Sequence, residues 1–368
     1  EAREHRDRVA QLKDDLDEIR ELRDDKVEQE GSYEDALDTL LDEMEAVLHN
    51  EDELTHHLRR AGQLDAYRDE AKQHANRAEP FNLPESFYTD RFIADNALRW
   101  LEEQGTSQQP WYLNVSFVGP HPPLWHPGEC DFDEDNLPFP VLGAADSSEL
   151  RSKRKHFLQK CILIDRYVGM LLDKLESDGT LDDTLIVFTS DHGDMLGDFG
   201  QWDKRFFREP SVGVPLIMAG PDVPRSDRDL GGQIIRDLVS TLDFYPTFLA
   251  AAGLDASEAS TFRGRRFGVD LRAMLNERGE GHDRIYAELG THAMVITGPW
   301  KIVFDPEQGG VVQLFNHRND PQELNNLAGV AGYESVTADL LGDLLTTRIG
   351  LSQYTHEKER TRLQRVRR

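Results

Sequence analysis

Short strand-like runs alternate with helical stretches through the middle of this chain, and this alternation constrains its fold more than any other feature. The runs are WYLNVSF at 111–117, TLIVFTS at 184–190 and VPLIMAGP at 214–221. Helical spacing is found at 88–104 and along the apolar face from Ile164 to Leu175. Strands that alternate with helices favour an α/β fold in which a mainly parallel sheet lies between helices.

The flanking segments have other patterns. Charged residues dominate the beginning of the chain, where apolar residues recur at helical spacing from Val9 to Leu22, and a second helical stretch over 33–48 leads into a polar connector. After about residue 255 the runs RIYAEL, AMVITGPWKIVF and VVQLFN predict a smaller antiparallel sheet, with a helix at 336–347. The predicted organisation is a charged helical segment over 1–80, an α/β core over 81–255, a C-terminal α+β subdomain over 256–347 and a basic tail over 348–368.

A third helical stretch forms the last part of the predicted α/β core. Residues 234–253 have the pattern of a helix, and the restriction that Pro246 places on the residue before it predicts an interruption there.

The charge of the chain excludes some classes of partner. Acidic residues number 69 against 42 basic ones, of which only 10 are lysine, and the formal net charge is −27. Such a surface repels nucleic acid and anionic membranes, so neither is expected as a partner. An acidic, lysine-poor surface is typical of proteins kept soluble in high salt, and an ordinary acidic soluble protein fits equally well.

The cysteines and the hydropathy add little. Cys130 and Cys161 form no C-x-x-C pair, so both are interpreted as packing residues. No run approaches the roughly 18 apolar residues of a membrane span, and the opening EAREHRDRVAQ has no signal-peptide core. A soluble chain is expected, cytoplasmic if it is complete at its N-terminus.

Two polar loops follow strand-like runs, and ligands of open parallel sheets bind beyond the carboxyl ends of strands. One loop carries His121 and the other carries Asp191 and His192. A turn at Gly193 would bring the carboxylate and the imidazole toward one point, where they make half of a ligand set for a divalent cation. The alternative is that Asp191 caps a turn and His192 is a surface residue.

A lysine and a histidine are candidates for anion contacts. Lys204 lies near Trp202, Phe206 and Phe207, where partial desolvation would strengthen its attraction for a sulfate or phosphate. His121 has prolines on both sides, and a stiff backbone suits a positioned proton donor or anion contact. The alternatives are a solvated lysine and a histidine that makes a structural hydrogen bond.

Taken together, the motifs resemble a known family. The series GPHPP, TLIVFTSDHGDMLGDFGQWDKRFFREPSVGVPLIMAGP, STLDFYPTFLAAAG and LFNHRNDPQELNNLAG resembles the type I sulfatases of the alkaline-phosphatase superfamily, over about residues 88–330. The resemblance implies an alkaline-phosphatase-like α/β domain with a smaller C-terminal four-stranded sheet.

The resemblance also implies roles for the candidate residues. Asp191 and His192 match the second pair of metal ligands, usually for Ca²⁺, although many members have Asn at the His192 position and imidazole suits Mn²⁺ better. Lys204 matches the lysine that contacts the sulfate group. His121 matches the histidine that binds sulfate or protonates the leaving oxygen. The implied substrate is a sulfate ester of a small molecule or carbohydrate, and the Asp320-Pro321 turn is implied to be structural.

One family feature is not found in this sequence. Family members begin with a strand that ends in two aspartates and a C/S-x-P-S-R segment, whose cysteine or serine becomes the formylglycine nucleophile. Neither Cys130, in GECDFDED, nor Cys161, in QKCILID, is followed by Pro-Ser-Arg. The prediction is a metal-dependent sulfuric ester hydrolase whose core is incomplete at its N-terminal side and which is inactive as this chain alone. The alternatives are a phosphonate or phosphate ester hydrolase and a non-catalytic, degenerate homologue.

Overall fold

The computed structural model describes residues 53–74, 81–104, 109–129, 137, 142–145, 147–224, 232–254, 261–262, 265–266, 268–276 and 281–366. The helical stretches predicted from Val9 to Leu22 and over 33–48, and also Cys130, lie outside these residues. The chain divides into two compact units, which are described one at a time. The first unit is Glu1–Leu137 with Arg151–Asp178, and the second is Pro138–Leu150 with Gly179–Arg368.

Among its described residues, the first unit contains the helices α1 (Glu53–Arg60), α2 (Leu64–His74), α3 (Thr89–Gln104) and all but the first turn of α4 (Ser148–Ser177). The first two occupy the stretch that was predicted as a polar connector, so that prediction is wrong. Their few apolar side chains suffice to fix them, because Leu58 and Leu64 are buried.

Helix α3 confirms the helix predicted at 88–104, and it buries Ala94, Ala97 and Leu101 at intervals of three and four residues. The core of the unit is built on aromatic side chains from several segments, namely Phe81, Tyr88, Trp125 and Tyr167, with Ala94 and Leu163 between them. Helix α4 ends at Ser177, before Gly179 at φ 71°, a left-handed conformation that glycine adopts readily at the end of a helix.

Residues 111–117, predicted as a strand, and Val118 after them alternate in exposure as the residues of a strand do, but they lack the hydrogen-bond ladder of a strand. Every second residue is exposed, including Tyr112 and Val118 at 65% and 52%. Within the described residues no segment pairs with this one, and a strand is defined by hydrogen bonds to a neighbour. The segment therefore alternates as a strand does, but the predicted strand is absent.

Two strands of the second unit, β1 (Ile186–Thr189) and β2 (Leu216–Ala219), confirm the other two predicted runs. They pair antiparallel, with Ile186 opposite Ala219, whereas the sheet predicted to contain them was mainly parallel. A parallel connection needs a crossover, usually a long helix. The link between these strands contains only a 3₁₀ turn at Asp198–Gly200 and the four-residue helix α5 (Glu209–Val212), so the chain returns in the opposite direction.

The helix predicted over 234–253 is shorter. Residues 232–240 are not helical, a 3₁₀ turn spans Thr241–Asp243, and α6 runs from Phe244 to Ala251. Pro246 lies in the first turn of α6, where a missing N–H costs nothing because those N–H groups have no helical acceptor. Two short strands, β3 (Thr261–Phe262) and β4 (Arg265–Arg266), and helix α7 (Leu271–Asn276) follow.

A four-stranded antiparallel meander confirms the predicted C-terminal sheet. Its strands are β5 (Arg284–Leu289), β6 (His292–Thr297), β7 (Trp300–Asp305) and β8 (Gly310–Asn316), paired in chain order. Helix α8 (Glu334–Val366) packs on one face through Leu340 and Leu344, over Ala293, Val295, Ile302 and Leu314. This helix was predicted to end at 347; it continues through most of the segment that was predicted as a basic tail. In the described part of the chain, no helix is long and apolar enough to cross a membrane.

Candidate functional site

The Asp-His-Gly sequence forms a tight turn directly after β1. Asp191 Oδ1 accepts the His192 N–H at 3.0 Å, and Ser190 Oγ donates to the His192 carbonyl at 2.7 Å. The Gly193 N–H donates to the Ser211 carbonyl of α5 at 2.9 Å, and a Cβ at Gly193 would overlap the Pro210 carbonyl oxygen. Glycine is required here because two stretches of backbone approach closely.

The turn orients both predicted metal ligands. His192 Nδ1 lies 2.7 Å from the Gly193 carbonyl, which can only accept, so Nδ1 carries the proton and Nε2 presents its lone pair. That Nε2 lies 3.5 Å from Asp191 Oδ2. The Asp191 side chain is 85% exposed and that of His192 is 32% exposed. A carboxylate oxygen beside an imidazole whose other nitrogen is fixed by a carbonyl is a donor set that suits a divalent cation.

The capping role weighed for Asp191 is also present, on its other oxygen. Oδ1 accepts the backbone N–H of His192, while Oδ2 faces the imidazole. One carboxylate can thus stabilise the turn and offer a ligand atom at the same time.

The loop that carries Lys204 is tied back to this turn. Asp194 Oδ1 accepts the Asp203 N–H at 3.2 Å and the Leu196 N–H at 2.8 Å, and the Met195 N–H donates to the Asp203 carbonyl at 3.0 Å. Lys204 Nζ lies 3.7 Å from Asp203 Oδ1, and its side chain is 29% exposed. Sequence reasoning did not identify Asp194 as the residue that fixes this loop, although its position in the D-H-G-D sequence is a signal that could have identified it.

The same loop holds unusual backbone conformations. The described residues include six non-glycine residues with positive φ, and four of them lie in this loop: Leu196, Phe199, Asp203 and Arg205, at 47°, 55°, 68° and 80°. Each such conformation costs on the order of 1 kcal/mol and persists only where the surroundings impose it, as is common at functional sites. The backbone strain therefore indicates a functional role for this loop, independently of the sequence motif.

Arg208 ends the loop and anchors it. Its guanidinium lies 3.8 Å above the centre of the Phe199 ring and 5.1 Å from that of Phe315 on β8. A guanidinium held between two rings is a rigid fixing point.

A second group of possible ligands lies beside α5. Single ligand atoms of Glu209, His317 and Glu323 fall within 4.8 Å of one another. Lys301, fully buried, donates to Glu323 Oε1 at 2.5 Å, and His317 Nε2 donates to the same oxygen at 2.8 Å. Burial alone would raise the pKa of Glu323, but the His317 hydrogen bond and the Lys301 charge outweigh it and hold that pKa below its usual value. Sequence reasoning missed Glu323, because the NDPQEL segment was interpreted as a turn without chemistry.

His121 belongs to the first unit, in a loop held by a buried carboxylate. Asp90 Oδ1, on α3, accepts the N–H groups of Val118 and Gly119 at 2.7 and 3.0 Å. His121 donates its own N–H to the Val118 carbonyl, and its Nδ1 lies 2.6 Å from the Pro122 carbonyl. The structural hydrogen bond considered for His121 is thus present at Nδ1, and it fixes the direction of Nε2.

A buried lysine holds the other side of this loop. Lys160, on α4, donates from Nζ to the carbonyls of His121 and Pro123 at 2.6 and 2.9 Å. Burial lowers the pKa of Lys160 to about 8. Sequence reasoning missed Lys160, but a lysine that shares a helix face with Ile164 and Tyr167 is a signal that could have identified it.

Comparisons with known proteins identify the family of the chain. The sulfatase family model matches residues 41–254, and the model of the C-terminal region of N-sulphoglucosamine sulphohydrolase matches residues 197–349. A choline-sulfatase of Rhizobium meliloti is 34% identical over 273 residues, which are 64% of this chain and 50% of that protein. An arylsulfatase of Clostridium perfringens is 26% identical over 70% of this chain and 57% of its own length. The chain thus spans about half the length of these curated relatives.

Solved structures share the fold. A phosphonate monoester hydrolase of Agrobacterium radiobacter superposes with a TM-score of 0.66 at 23% identity, over 82% of this chain and 69% of that one. A putative sulfatase of Bacteroides fragilis gives 0.56 at 23% identity, over 70% and 58%. These likenesses confirm the predicted alkaline-phosphatase-like α/β class. With a family model that matches more than half of its residues, the chain belongs to the sulfatase family.

Proposed function

We propose that this chain supplies metal and sulfate contacts of a hydrolase of sulfate monoesters. The observation that supports the proposal most directly is the Asp191–His192 turn, where Nε2 and Oδ2 lie 3.5 Å apart beside the strained loop of Lys204. A solvated lysine and a capping aspartate alone would not need that strain.

The proposed metal ligands are Asp191 and His192. Ca²⁺ is the usual ion of the family, and the imidazole nitrogen favours Mn²⁺ as an alternative. A bound divalent ion would neutralise negative charge on the oxygens of the sulfate group. The Gly193 carbonyl would keep Nδ1 protonated, so that Nε2 stays available to a cation.

Lys204 and His121 are proposed as the groups that touch the substrate. Lys204 would neutralise charge on a sulfuryl oxygen, and His121 would donate a proton to the leaving alcohol oxygen. The hydrogen bond of His121 Nδ1 to the Pro122 carbonyl leaves Nε2 as the nitrogen for that transfer.

The proposed substrates are sulfate esters of small molecules or carbohydrates. Relatives named choline-sulfatase and arylsulfatase support the first, and one named N-acetylglucosamine-6-O-sulfatase, 28% identical over 51% of this chain, supports the second.

We propose further that the chain is inactive by itself. None of its 368 residues forms a C/S-x-P-S-R segment. Removing the nucleophile from covalent catalysis lowers the rate about 10⁴- to 10⁶-fold.

A fusion protein tests the proposal. The N-terminal portion of a sulfatase relative that carries the nucleophile motif would be joined to this chain, and turnover of an aryl sulfate measured with Ca²⁺ or Mn²⁺. We expect turnover that is lost on Asp191→Ala and falls at least 100-fold on Lys204→Ala. A folded, modified fusion that shows no turnover with either ion would contradict the proposal.

A second candidate is hydrolysis of phosphonate or phosphate esters. A relative in Trinickia caryophylli named as a multifunctional alkaline phosphatase superfamily protein is 24% identical over 75% of this chain, which supports keeping it. The same fusion, given sulfate, phosphonate and phosphodiester substrates at matched concentrations, separates the two.

A third candidate, a degenerate binding protein, predicts that the chain binds neither metal nor anion.

A further inference from the structure

The second unit contains a fully buried ion pair outside the proposed site. Lys301 on β7 and Glu323, in the turn after β8, are both completely inaccessible, and Nζ lies 2.5 Å from Oε1. Burying two charges is costly unless their remaining polar atoms are hydrogen-bonded. The hydrogen-bond partners of this pair therefore identify the part of the structure that the pair stabilises.

The nearby Glu209, His317 and Glu323 have the spacing of a metal site, but the charges argue against one. The Lys301 ammonium lies 2.5 Å from Glu323 Oε1 and 3.8 Å from Glu209 Oε2. It already supplies the positive charge that a cation would bring, and a second cation there would be repelled.

Glu323 instead holds helix α5. Its Oε2 accepts the Glu209 N–H, at the first residue of the helix, at 3.0 Å. Its main-chain carbonyl accepts Arg208 Nη1 at 2.5 Å, immediately before the helix begins. Glu323 itself has φ 56°, an unfavourable conformation that the surrounding contacts impose.

Helix α5 in turn lies behind the proposed metal ligands. The Ser211 carbonyl accepts the Gly193 N–H, and the Pro210 carbonyl is so close to Gly193 that a side chain would not fit. The contacts therefore link Glu323, through residues 209–211 of α5, to the turn that carries Asp191 and His192.

We propose that Glu323 is a positioning residue for the metal ligands: it fixes α5 against the Asp-His-Gly turn and so sets the geometry of Asp191 and His192. This inference rests on the proposed function, because it needs a metal at those two residues. The proposal gives the NDPQEL segment a role, because this segment would link the C-terminal sheet to the turn that carries Asp191 and His192.

Two charge-balanced double variants test the role of the acceptor. Lys301→Met with Glu323→Gln removes both charges but keeps an oxygen for the Glu209 N–H. Lys301→Met with Glu323→Met removes both charges and that oxygen. Both lose the buried ion pair, and both introduce an unbranched side chain at 323, so a difference between them reports the contact with α5.

The measurement is Mn²⁺ binding, followed by electron paramagnetic resonance of the unbound ion, with thermal unfolding as the check on folding. We expect the Gln pair to bind within about threefold of the unaltered protein and the Met pair at least tenfold more weakly. Equal affinities in the two pairs, with Asp191→Ala still abolishing binding, would overturn this inference alone. Binding that resists Asp191→Ala but is lost on His317→Gln would overturn both this inference and the proposed metal site, and so would no binding at all.

Hydrogen exchange in the unaltered protein provides a test that does not depend on whether any variant folds. Since coupling is reciprocal, Mn²⁺ at Asp191 and His192 should slow exchange of the N–H of Glu209. Mn²⁺ binding that slows hydrogen exchange in the Asp-His-Gly turn but leaves exchange of the Glu209 N–H unchanged would count against the coupling.

Discussion

At the scale of single residues, the second unit depends on charges that have no access to water. The side chains of Lys301 and Glu323 are both 0% exposed. A surface ion pair contributes less than about 1 kcal/mol to folding, whereas breaking a buried pair strands an uncompensated charge. The two kinds of pair should respond differently to the same substitution.

We predict that Lys301→Met lowers the free energy of unfolding by about 3–5 kcal/mol, because Glu323 would remain buried and charged. Adding Glu323→Gln should restore part of the loss. Urea denaturation measures both, and Lys174→Met, which breaks the partly exposed Lys174–Asp178 pair at 2.8 Å, is the matched control. Equal losses for Lys301→Met and Lys174→Met would contradict the prediction.

Gly193→Ala should lower the free energy of unfolding by about 1–3 kcal/mol, because the added methyl group meets the Pro210 carbonyl oxygen. Gly169→Ala, in the middle of α4 with open space around its Cβ position, should stabilise the protein by roughly 0.5–1 kcal/mol. Denaturation curves of the two variants should therefore shift in opposite directions. A neutral Gly193→Ala would show that the turn can move away from α5.

At the scale of elements, loops are held by charged side chains that project from helices. The loop of His121 lies between Asp90 on α3, which accepts two N–H groups, and Lys160 on α4, which donates to two carbonyls. A loop held on both sides needs no regular structure of its own.

Lys160→Met should therefore loosen residues 118–123 without unfolding α4. The carbonyls of His121 and Pro123 would lose their donor, and hydrogen exchange at the His121 N–H should rise at least tenfold. Mass spectrometry of the peptide that spans this loop measures the rate. Lys155→Met, on the same helix, serves as the control, and equal exchange in both variants would contradict the role of Lys160.

The segment before β5 is tied by a titratable pair to the 3₁₀ turn that precedes α6. His282 Nε2 lies 2.7 Å from Asp243 Oδ1, and this hydrogen bond, opposed by burial and aided by the charges of Asp243 and Asp283, raises the pKa of His282. A raised folded-state pKa gives stability that is complete below the unfolded value, near 6.5, and is lost as pH rises through the folded value. Unfolding free energies at pH 6 and pH 9 should thus differ more in the unaltered protein than in His282→Gln. Identical differences would contradict the assignment.

These elements show how far sequence reasoning reaches. The period-3.6 faces located α3 and α4, and the strand-like runs located β1, β2 and the C-terminal sheet, because those patterns depend on local burial. The antiparallel direction of β2 and the full length of α8 depend on tertiary contacts, and neither was predicted. Of the site, the Asp191–His192 turn and Lys204 were named from the sequence, whereas Asp90, Lys160 and Glu323 act through distant backbone atoms that no spacing reveals.

At the scale of the whole molecule, 69 acidic residues against 42 basic ones leave a formal net charge of −27, and the self-repulsion of this excess negative charge opposes compactness. We predict that Tm rises by several degrees as NaCl increases from 0.01 to 0.3 M, because the Debye length falls from about 30 Å to below 8 Å. Differential scanning calorimetry measures it, with sucrose as the uncharged control. A continued rise above 1 M favours a high-salt protein, a plateau favours an ordinary acidic one, and no rise would contradict the electrostatic argument.

The strained loop has a consequence for evolution in the laboratory. Leu196, Asp203 and Arg205 occupy backbone conformations that glycine and asparagine adopt at little cost. A library randomised at these positions and screened only for survival of heating should therefore accumulate those two amino acids. The survivors would gain tolerance by relaxing the backbone that presents Lys204, and we expect the same substitutions, placed in the fusion protein proposed above, to lower its turnover of an aryl sulfate.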